Sequence, residues 1–262
     1  FNLDISKIEK KITPKTKGLL LVDIWGMPIY SKELESFIKR YHLSVIEDAC
    51  ESIGNDTHVV GRIGNLTVYS FYENKQITTG GEGGIITTDD YSTAESCRSL
   101  RDHGRSDNSD WINHVRLGYN YRLTEMQAAI GREQLKKVSF IEDERVRMVG
   151  LYKSLLQTIS SFELPYEDDL NQRSWFLYYI VLPDKIIRDS LLKELKNKGV
   201  DAKSYFIPIY KFPEYQKFAY NAKDFPVCED VYDRVLALPL FIGLKEEEIK
   251  YIARIIKDFL SK

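Results

Sequence analysis

Two short apolar runs with a helix-length amphipathic stretch between them do most to restrict the fold of this chain. The runs are L-L-L-V-D at 19–23 and S-V-I-E-D at 44–48, and between them Leu34, Phe37, Ile38 and Tyr41 recur at helical spacing. Apolar runs of that length, bounded by polar and turn-forming residues, read as buried strands. Ser31 supplies an N-cap hydroxyl for the helix, and Glu35 follows near its first turn. A strand, a crossover helix and a second strand predict a parallel βαβ unit. Residues 67–72 and 84–88 are two further strand candidates.

The remaining elements divide the chain. Residues 92–100 read as a helix, and 101–118 as a polar loop that carries His103 and His114 and has the length of a functional loop. Thr124 and Gln127 form a T-x-x-Q capping box that opens one long helical stretch through Met126, Ile130, Leu135 and Val138 and on past Ile141 to Leu156. That stretch is expected to bridge two domains. Beyond it, 175–182 reads as a strand, 187–198 as a helix ending at Gly199, and 205–210 as an extended segment interrupted by Pro208. Apolar residues at 249, 252, 255, 256 and 259 give a closing amphipathic helix. The expectation is an α/β domain over 1–137 and a smaller α+β domain over 138–262.

Composition narrows the function class. Lys plus Arg at 37 against Asp plus Glu at 39 leave a formal charge of -2, which argues against nucleic acid as the partner and for small molecules. Cys50, Cys97 and Cys228 are odd in number, far apart and form no C-x-x-C pair. Neither a disulfide framework nor a zinc site is expected from them, and a reducing cytoplasm is. No run approaches the roughly 20 apolar residues of a membrane span, and no secretory signal is visible. The chain starts on Phe1 in place of Met, and a preceding N-terminal segment is expected.

Two segments carry chemistry. In V-I-E-D-A-C-E, residues 45–51, apolar residues run straight into acids at the carboxyl end of a predicted parallel strand, where open α/β sheets bind ligands. Taken alone, Glu47 or Asp48 reads more simply as a cap for a helix that follows. In S-F-Y-E-N-K-Q-I-T-T-G-G-E-G-G, residues 70–84, a lysine lies between a strand and four glycines that let the backbone approach a ligand. A lysine taken alone is most often a solvated side chain. Together the acid, the lysine and Ser70 match what an aldehyde cofactor with a pyridine ring and a phosphate needs. The Lys75 amine must be unprotonated to form an imine, which burial in a positive or apolar surround promotes. The acid must keep the ring nitrogen protonated so that the ring accepts electrons. Ser70 and glycine-lined amides would hold the phosphate.

The ordered set E-D-A-C-E at 47–51, Y-S-F-Y-E-N-K-Q-I-T-T-G-G-E-G-G at 69–84 and G-Y-N-Y-R-L-T-E-M-Q-A-A-I-G at 118–131 resembles the nucleotide-sugar aminotransferases of the DegT/DnrJ/EryC1/StrS family. I-T-P-K-T-K at 12–17, Y-F-I-P-I-Y-K-F-P at 205–213 and L-A-L-P-L-F-I-G-L at 236–244 extend the resemblance over nearly the whole chain. It implies an α/β fold, the type I fold of pyridoxal 5'-phosphate (PLP) transferases, like aspartate aminotransferase: a large-domain sheet plus a small α+β C-terminal domain. It implies Lys75 as the Schiff-base lysine and proton shuttle, Asp48 as partner of the pyridinium nitrogen and Ser70 as a phosphate ligand. Asn120 would reach the phosphate of the neighbouring subunit's cofactor in a homodimer with shared active sites. Glu51 would stand beside the ring, where many relatives carry Gln or His.

The implied reaction moves an amino group from glutamate, or as a second choice glutamine, to a keto-sugar nucleotide. A 4-keto-6-deoxyhexose on UDP, dTDP or GDP is the expected acceptor, for surface polysaccharide or glycoconjugate biosynthesis. A 3-keto sugar, a keto-cyclitol, or an inactive binding or regulatory relative are the alternatives. A dehydratase on the same scaffold is disfavoured, because those relatives carry His where Lys75 stands. Tyr210 stands where His is usual, and His103 divides evenly between a loop and a site role. Arg122 is expected in a structural ion pair, Trp175 and Tyr205 in the core of the smaller domain, and Cys50 as a buried filler. The resemblance also implies a larger sheet than the four strand candidates here. It implies, too, a Gly-Thr phosphate-binding turn and a ring-stacking aromatic N-terminal to the equivalent of Phe1.

Overall fold

The computed structural model describes residues 1–54, 59–106, 113–166 and 173–261. They belong to two compact units, Phe1–Glu142 with Asn171–Phe176, and Asp143–Leu170 with Leu177–Lys262. The boundary expected at residue 137 thus lies at Glu142. Trp175, expected in the smaller domain, is grouped with the first unit and is buried there.

The first unit opens with a single turn, α1 (Ile5–Ile8), and then strand β1 (Gly18–Val22), helix α2 (Lys32–Tyr41) and strand β2 (Ser44–Asp48). The βαβ expectation holds, since β1 and β2 are parallel with Leu20 opposite Ile46 and Val22 opposite Asp48. Helix α2 starts where the sequence placed it: the Ser31 hydroxyl accepts the Leu34 N–H at 3.1 Å. It ends at His42, whose left-handed φ of 50° turns its N–H back to the carbonyls of Ile38 and Lys39. Strand β3 (Leu66–Ser70) adds in parallel to β2, and β4 (Gly84–Thr87) adds antiparallel to β3, giving the order β1-β2-β3-β4.

Strand alternation sorts these side chains onto two faces. Leu21 and Val45 share one face and form a buried cluster with Leu34 and Phe37 of α2 and with Ile8, Ile29 and Leu43. Leu20, Val22, Ile46, Asp48, Val68, Ser70 and Ile86 fall on the other, as the register requires. Past β4 come α3 (Tyr91–Arg101), α4 (Glu125–Leu135) and the start of α5 (Val138–Leu156). The capping box is formed, with Thr124 Oγ1 accepting the Gln127 N–H and Gln127 Oε1 accepting the Thr124 N–H. The single long helix expected over 124–156 is two helices. The chain turns at Lys136 and Lys137, where Lys137 N–H bonds to Gln134 O, and no Gly or Pro marks the turn.

The second unit takes the rest of α5, strand β5 (Tyr178–Val181), α6 (Lys185–Asn197), α7 (Pro213–Gln216), α8 (Pro226–Arg234), β6 (Val235–Leu238) and α9 (Glu246–Leu260). The strand expected over 175–182 is four residues long and pairs antiparallel with β6. Residues 205–208 join no strand, and 209–211 make a short 3₁₀ turn instead of the extended segment expected there. Tyr152 and Tyr178 stack at 4.8 Å in the core, and the Tyr152 hydroxyl donates to Pro239 O at 3.0 Å. Among the described residues no helix is long and apolar enough to cross a membrane.

Candidate active site

Three parallel strands end together. Asp48 closes β2, Ser70 closes β3, and Asp23 follows β1, bonding through its N–H to Asp48 O at 3.0 Å. The two consecutive acids of β2 separate by alternation. Glu47 points to the covered face, where its carboxylate accepts the Gly61 N–H at 2.9 Å and lies 3.3 Å from the Thr67 hydroxyl. Asp48 lies on the open face, and its Oδ1 accepts the N–H of Cys50 at 3.1 Å. Neither acid caps a helix, so the simpler reading of each gives way to a turn-holding role for Glu47 and an available carboxylate at Asp48.

The lysine loop is rooted in the end of β3. Ser70 Oγ accepts the Tyr72 N–H at 3.2 Å and Lys75 N–H bonds to Tyr72 O at 3.0 Å, so both residues flank one turn. The loop returns through Thr79 N–H to Phe71 O and Phe71 N–H to Gly83 O. Gly83 is required at its position, since a Cβ there would stand 2.2 Å from Thr79 Oγ1. Lys75 is not a solvated side chain: 14% of it is exposed, against 11% for Glu51, whose Oε1 lies 3.7 Å from Nζ. Its other neighbour is the Phe176 ring, with Nζ 4.4 Å from the centroid. The surround expected to be positive or apolar is therefore apolar on one side and acidic on the other.

Burial governs the electrostatics here. It pushes the Glu51 carboxyl up, opposed by the Trp25 N–H, which donates to Oε2 at 2.8 Å, and by the Lys75 charge. Asp23, fully buried, is pushed up to about 6 by the same cause, against hydrogen bonds from the Ser52 hydroxyl and the Ile29 N–H. Burial, and then the neighbouring Asp48, drives the Cys50 thiol up to about 12, in keeping with a filler and not a nucleophile.

Other expected residues stand apart. Asn120 is exposed and sits in an antiparallel bridge with Asp102, flanked by Tyr119 N–H to Leu100 O and Tyr121 N–H to Arg101 O. It makes no hydrogen bond to Asp48, Glu51, Ser70 or Lys75. Arg122 pairs with Asp102, as its structural reading expected. His103 has a left-handed φ of 59° and contributes its backbone, its carbonyl accepting from His114 Nδ1 and its N–H going to Tyr119 O. The loop expected over 101–118 includes 107–112, which lie outside the described residues. In the second unit the Tyr210 hydroxyl donates to Glu229, which Lys211 also holds at 2.6 Å. Tyr205 stacks edge-on against Phe206, and it is only partly buried.

Sequence reasoning missed Trp25, Gln76, Ser174 and Phe176. Gln76 adjoins Lys75 and carried no motif of its own. Ser174 and Phe176 lie about a hundred residues further along, and nothing local ties them to the loop.

The residues present fit a PLP cofactor by their unused hydrogen-bonding capacity. Among the described residues Asp48 Oδ2 accepts no N–H or O–H, the Cys50 thiol being the carboxylate's other neighbour, so it is open to a ring N–H, and the Ser70 hydroxyl has no acceptor for its proton, so it is open to a phosphate oxygen. Lys75 adds an amine sheltered from water in the same loop system.

The sequence agrees with known proteins over its length. The family model described as the DegT/DnrJ/EryC1/StrS aminotransferase family matches residues 1–257. A GDP-perosamine synthase of Caulobacter vibrioides is 34% identical, over 95% of this chain and 67% of that protein. A UDP-N-acetyl-3-dehydro-alpha-D-glucosamine 3-aminotransferase of Acidithiobacillus ferrooxidans is 32% identical over 99% of this chain and 69% of its own length. The solved structure of Helicobacter pylori PseC, an aminotransferase involved in the biosynthesis of pseudoaminic acid, superposes with a TM-score of 0.91. It is 29% identical, with all of this chain and 71% of that one covered.

Proposed function

We propose that this chain, which belongs to the DegT/DnrJ/EryC1/StrS aminotransferase family, moves an amino group from glutamate to a keto-sugar nucleotide by way of Lys75. Its cofactor is PLP, as in the family. When bound, that group supplies an aldehyde to carry the amine and a ring to accept electrons. The chain's own residues do the rest. Lys75 Nζ would hold the group through its aldehyde and, when free of it, would carry the proton in each half-reaction. Asp48 Oδ2 would accept the ring N–H, Ser70 would donate to the phosphate, and Glu51, beside Lys75, would stand next to the ring. Asn120 serves the partner's site in a homodimer. The three free cysteines suit the cytoplasm, the compartment we propose.

One observation carries this reading: the Lys75 amine, nearly withdrawn from water, lies against Glu51 and Phe176 in a loop rooted beside Asp48 and Ser70. Borohydride reduction of the holoenzyme followed by peptide mapping is expected to fix the cofactor on Lys75. A reducible adduct that survives in Lys75→Ala would sink the assignment. Glutamate is then expected to bleach the visible band, and a panel of keto-sugar nucleotides to restore it. We propose a 4-keto-6-deoxyhexose as the acceptor, on the pathway to a surface polysaccharide or glycoconjugate. The 3-aminotransferase relative from Acidithiobacillus ferrooxidans favours a second reading, a 3-keto sugar. Restoration by the 3-keto compound alone would replace the first reading by the second.

A further inference from the structure

Lys75 and Gln76, adjacent in the chain, grip the same residue. Lys75 Nζ faces the Glu51 carboxylate at 3.7 Å, while Gln76 Nε2 donates to the Glu51 main-chain carbonyl at 2.5 Å. The same amide nitrogen donates to Ser174 Oγ at 2.8 Å, and that hydroxyl donates onward to Ile53 O at 2.5 Å. Ser174 N–H reaches Gly26 O at 3.0 Å, beside the Trp25 N–H that holds the Glu51 carboxylate. Gly26, with φ of 83°, comes so close that a Cβ there would lie 1.5 Å from Ser174 O. Phe176, two residues on, lays its ring against Lys75 Nζ.

The orientation of the Gln76 amide follows from its partners. The Glu51 carbonyl can only accept, so the nitrogen must face it. Gln76 Oε1 is then left buried with no hydrogen-bond partner among the described residues. An unpaired buried carbonyl is costly, and a side chain that only filled this space would do so better as an aliphatic. Gln76 and Ser174 are 5% and 0% exposed, so solvent offers no alternative partner.

We infer that Gln76 is a positioning residue for Lys75, locked by Ser174. The lock fixes the backbone of the lysine against the Glu51 turn and the Phe176 ring, so that Nζ keeps one direction and one distance from the acid. The inference rests on Lys75 being the cofactor lysine.

The test compares the parent holoenzyme with Gln76→Met, which keeps length and apolar bulk but deletes both donors, and with Ser174→Ala. In Gln76→Met the rate of the glutamate half-reaction is expected to fall about tenfold or more, with KM within about threefold. The pH midpoint of the cofactor's visible absorbance is expected to move by about half a unit or more, because the spacing from Glu51 is no longer fixed. Ser174→Ala should shift both readouts the same way by less, and the double variant should add little to Gln76→Met. In cofactor-free protein, competitive acetylation followed by peptide mass analysis should find Lys75 more reactive relative to the other lysines in both variants.

A folded Gln76→Met protein with the parental midpoint and parental Lys75 labelling overturns the inference. Should Gln76→Met fail to fold, Ser174→Ala, which removes a single oxygen, decides by the same two readouts. Borohydride mapping of the parent separates the levels. An adduct on another lysine overturns the assignment of Lys75 itself, whereas an adduct on Lys75 throughout with unmoved midpoints overturns only the role of Gln76.

Discussion

The two faces of the four-stranded sheet are made from the same strands and differ in what they leave available. On one, Leu21 and Val45 are closed over by Leu34 and Phe37, and Glu47 is engaged by Gly61 and Thr67. On the other, Leu20 is 64% exposed, Ile46 43% and Ile86 47%, and the same face carries Asp48 and Ser70 at its rim. Consecutive acids thereby acquire different work. Strand parity commits Glu47 to holding a turn and leaves Asp48 with an unused oxygen, a distinction that residue type alone does not make.

The covered face should yield the largest loss of stability. Leu34→Ala removes a fully buried side chain from the contact between α2 and the sheet. It is expected to cost about 2–5 kcal/mol in urea unfolding. The acids should separate next, by kind of effect. Asp48→Asn is expected to lose on the order of a hundredfold in turnover with an unchanged melting temperature. Glu47→Leu should lose about 1–3 kcal/mol of stability, because Gly61 N–H and Thr67 are left without their acceptor, and keep its turnover. The reverse pattern in either variant would erase the distinction between the faces.

How much of this was legible depends on the range of the interactions. The strands at 19–23 and 44–48, the Ser31 cap and the Thr124–Gln127 box rest on residues within a few positions of one another, and the structure contains all of them. The break at Lys136 and Lys137 was not legible, because the residues there are good helix formers and the turn is closed by one backbone bond. β6 was missed because its apolar residues run on past Pro239 into 240–242 without the bounding turn residues that marked the earlier strands, and its partner β5 lies more than fifty positions earlier. In the candidate site, Lys75, Asp48 and Ser70 stood out through motif order. Gln76 and Ser174, 98 positions apart, meet only once the chain is folded.

Asp23 tests whether the covered side of the strand ends carries a titratable burden. Its folded value of about 6 lies above its ordinary 3.8. Between those values the folded protein retains a proton that the unfolded chain has released, so stability falls as pH rises through that window and levels off above it. The loss is about 1–3 kcal/mol. Asp23→Asn keeps an acceptor for the Ile29 N–H and can donate to Ser52, but it cannot ionise. Urea unfolding at pH values from about 4 to 7 should show the slope in the parent and a flatter profile in the variant. A variant whose stability falls as steeply as the parent's would place the titrating group elsewhere.

The smallest effect belongs to the open face. Ile46→Thr keeps β-branching, and so the strand preference of the position, while exchanging the ethyl branch for a hydroxyl on a side chain already 43% exposed. Only two half-covered carbons are removed, so unfolding should shift by no more than about 1 kcal/mol. The neighbouring Asp48 sits two residues along on the same face, so turnover is the more sensitive readout and should fall less than it does in Asp48→Asn. A stability loss comparable with that of Leu34→Ala would mean that this face is covered in solution. The contrast between the faces would then lie in which of them carries Asp48 and Ser70, and no longer in which is open.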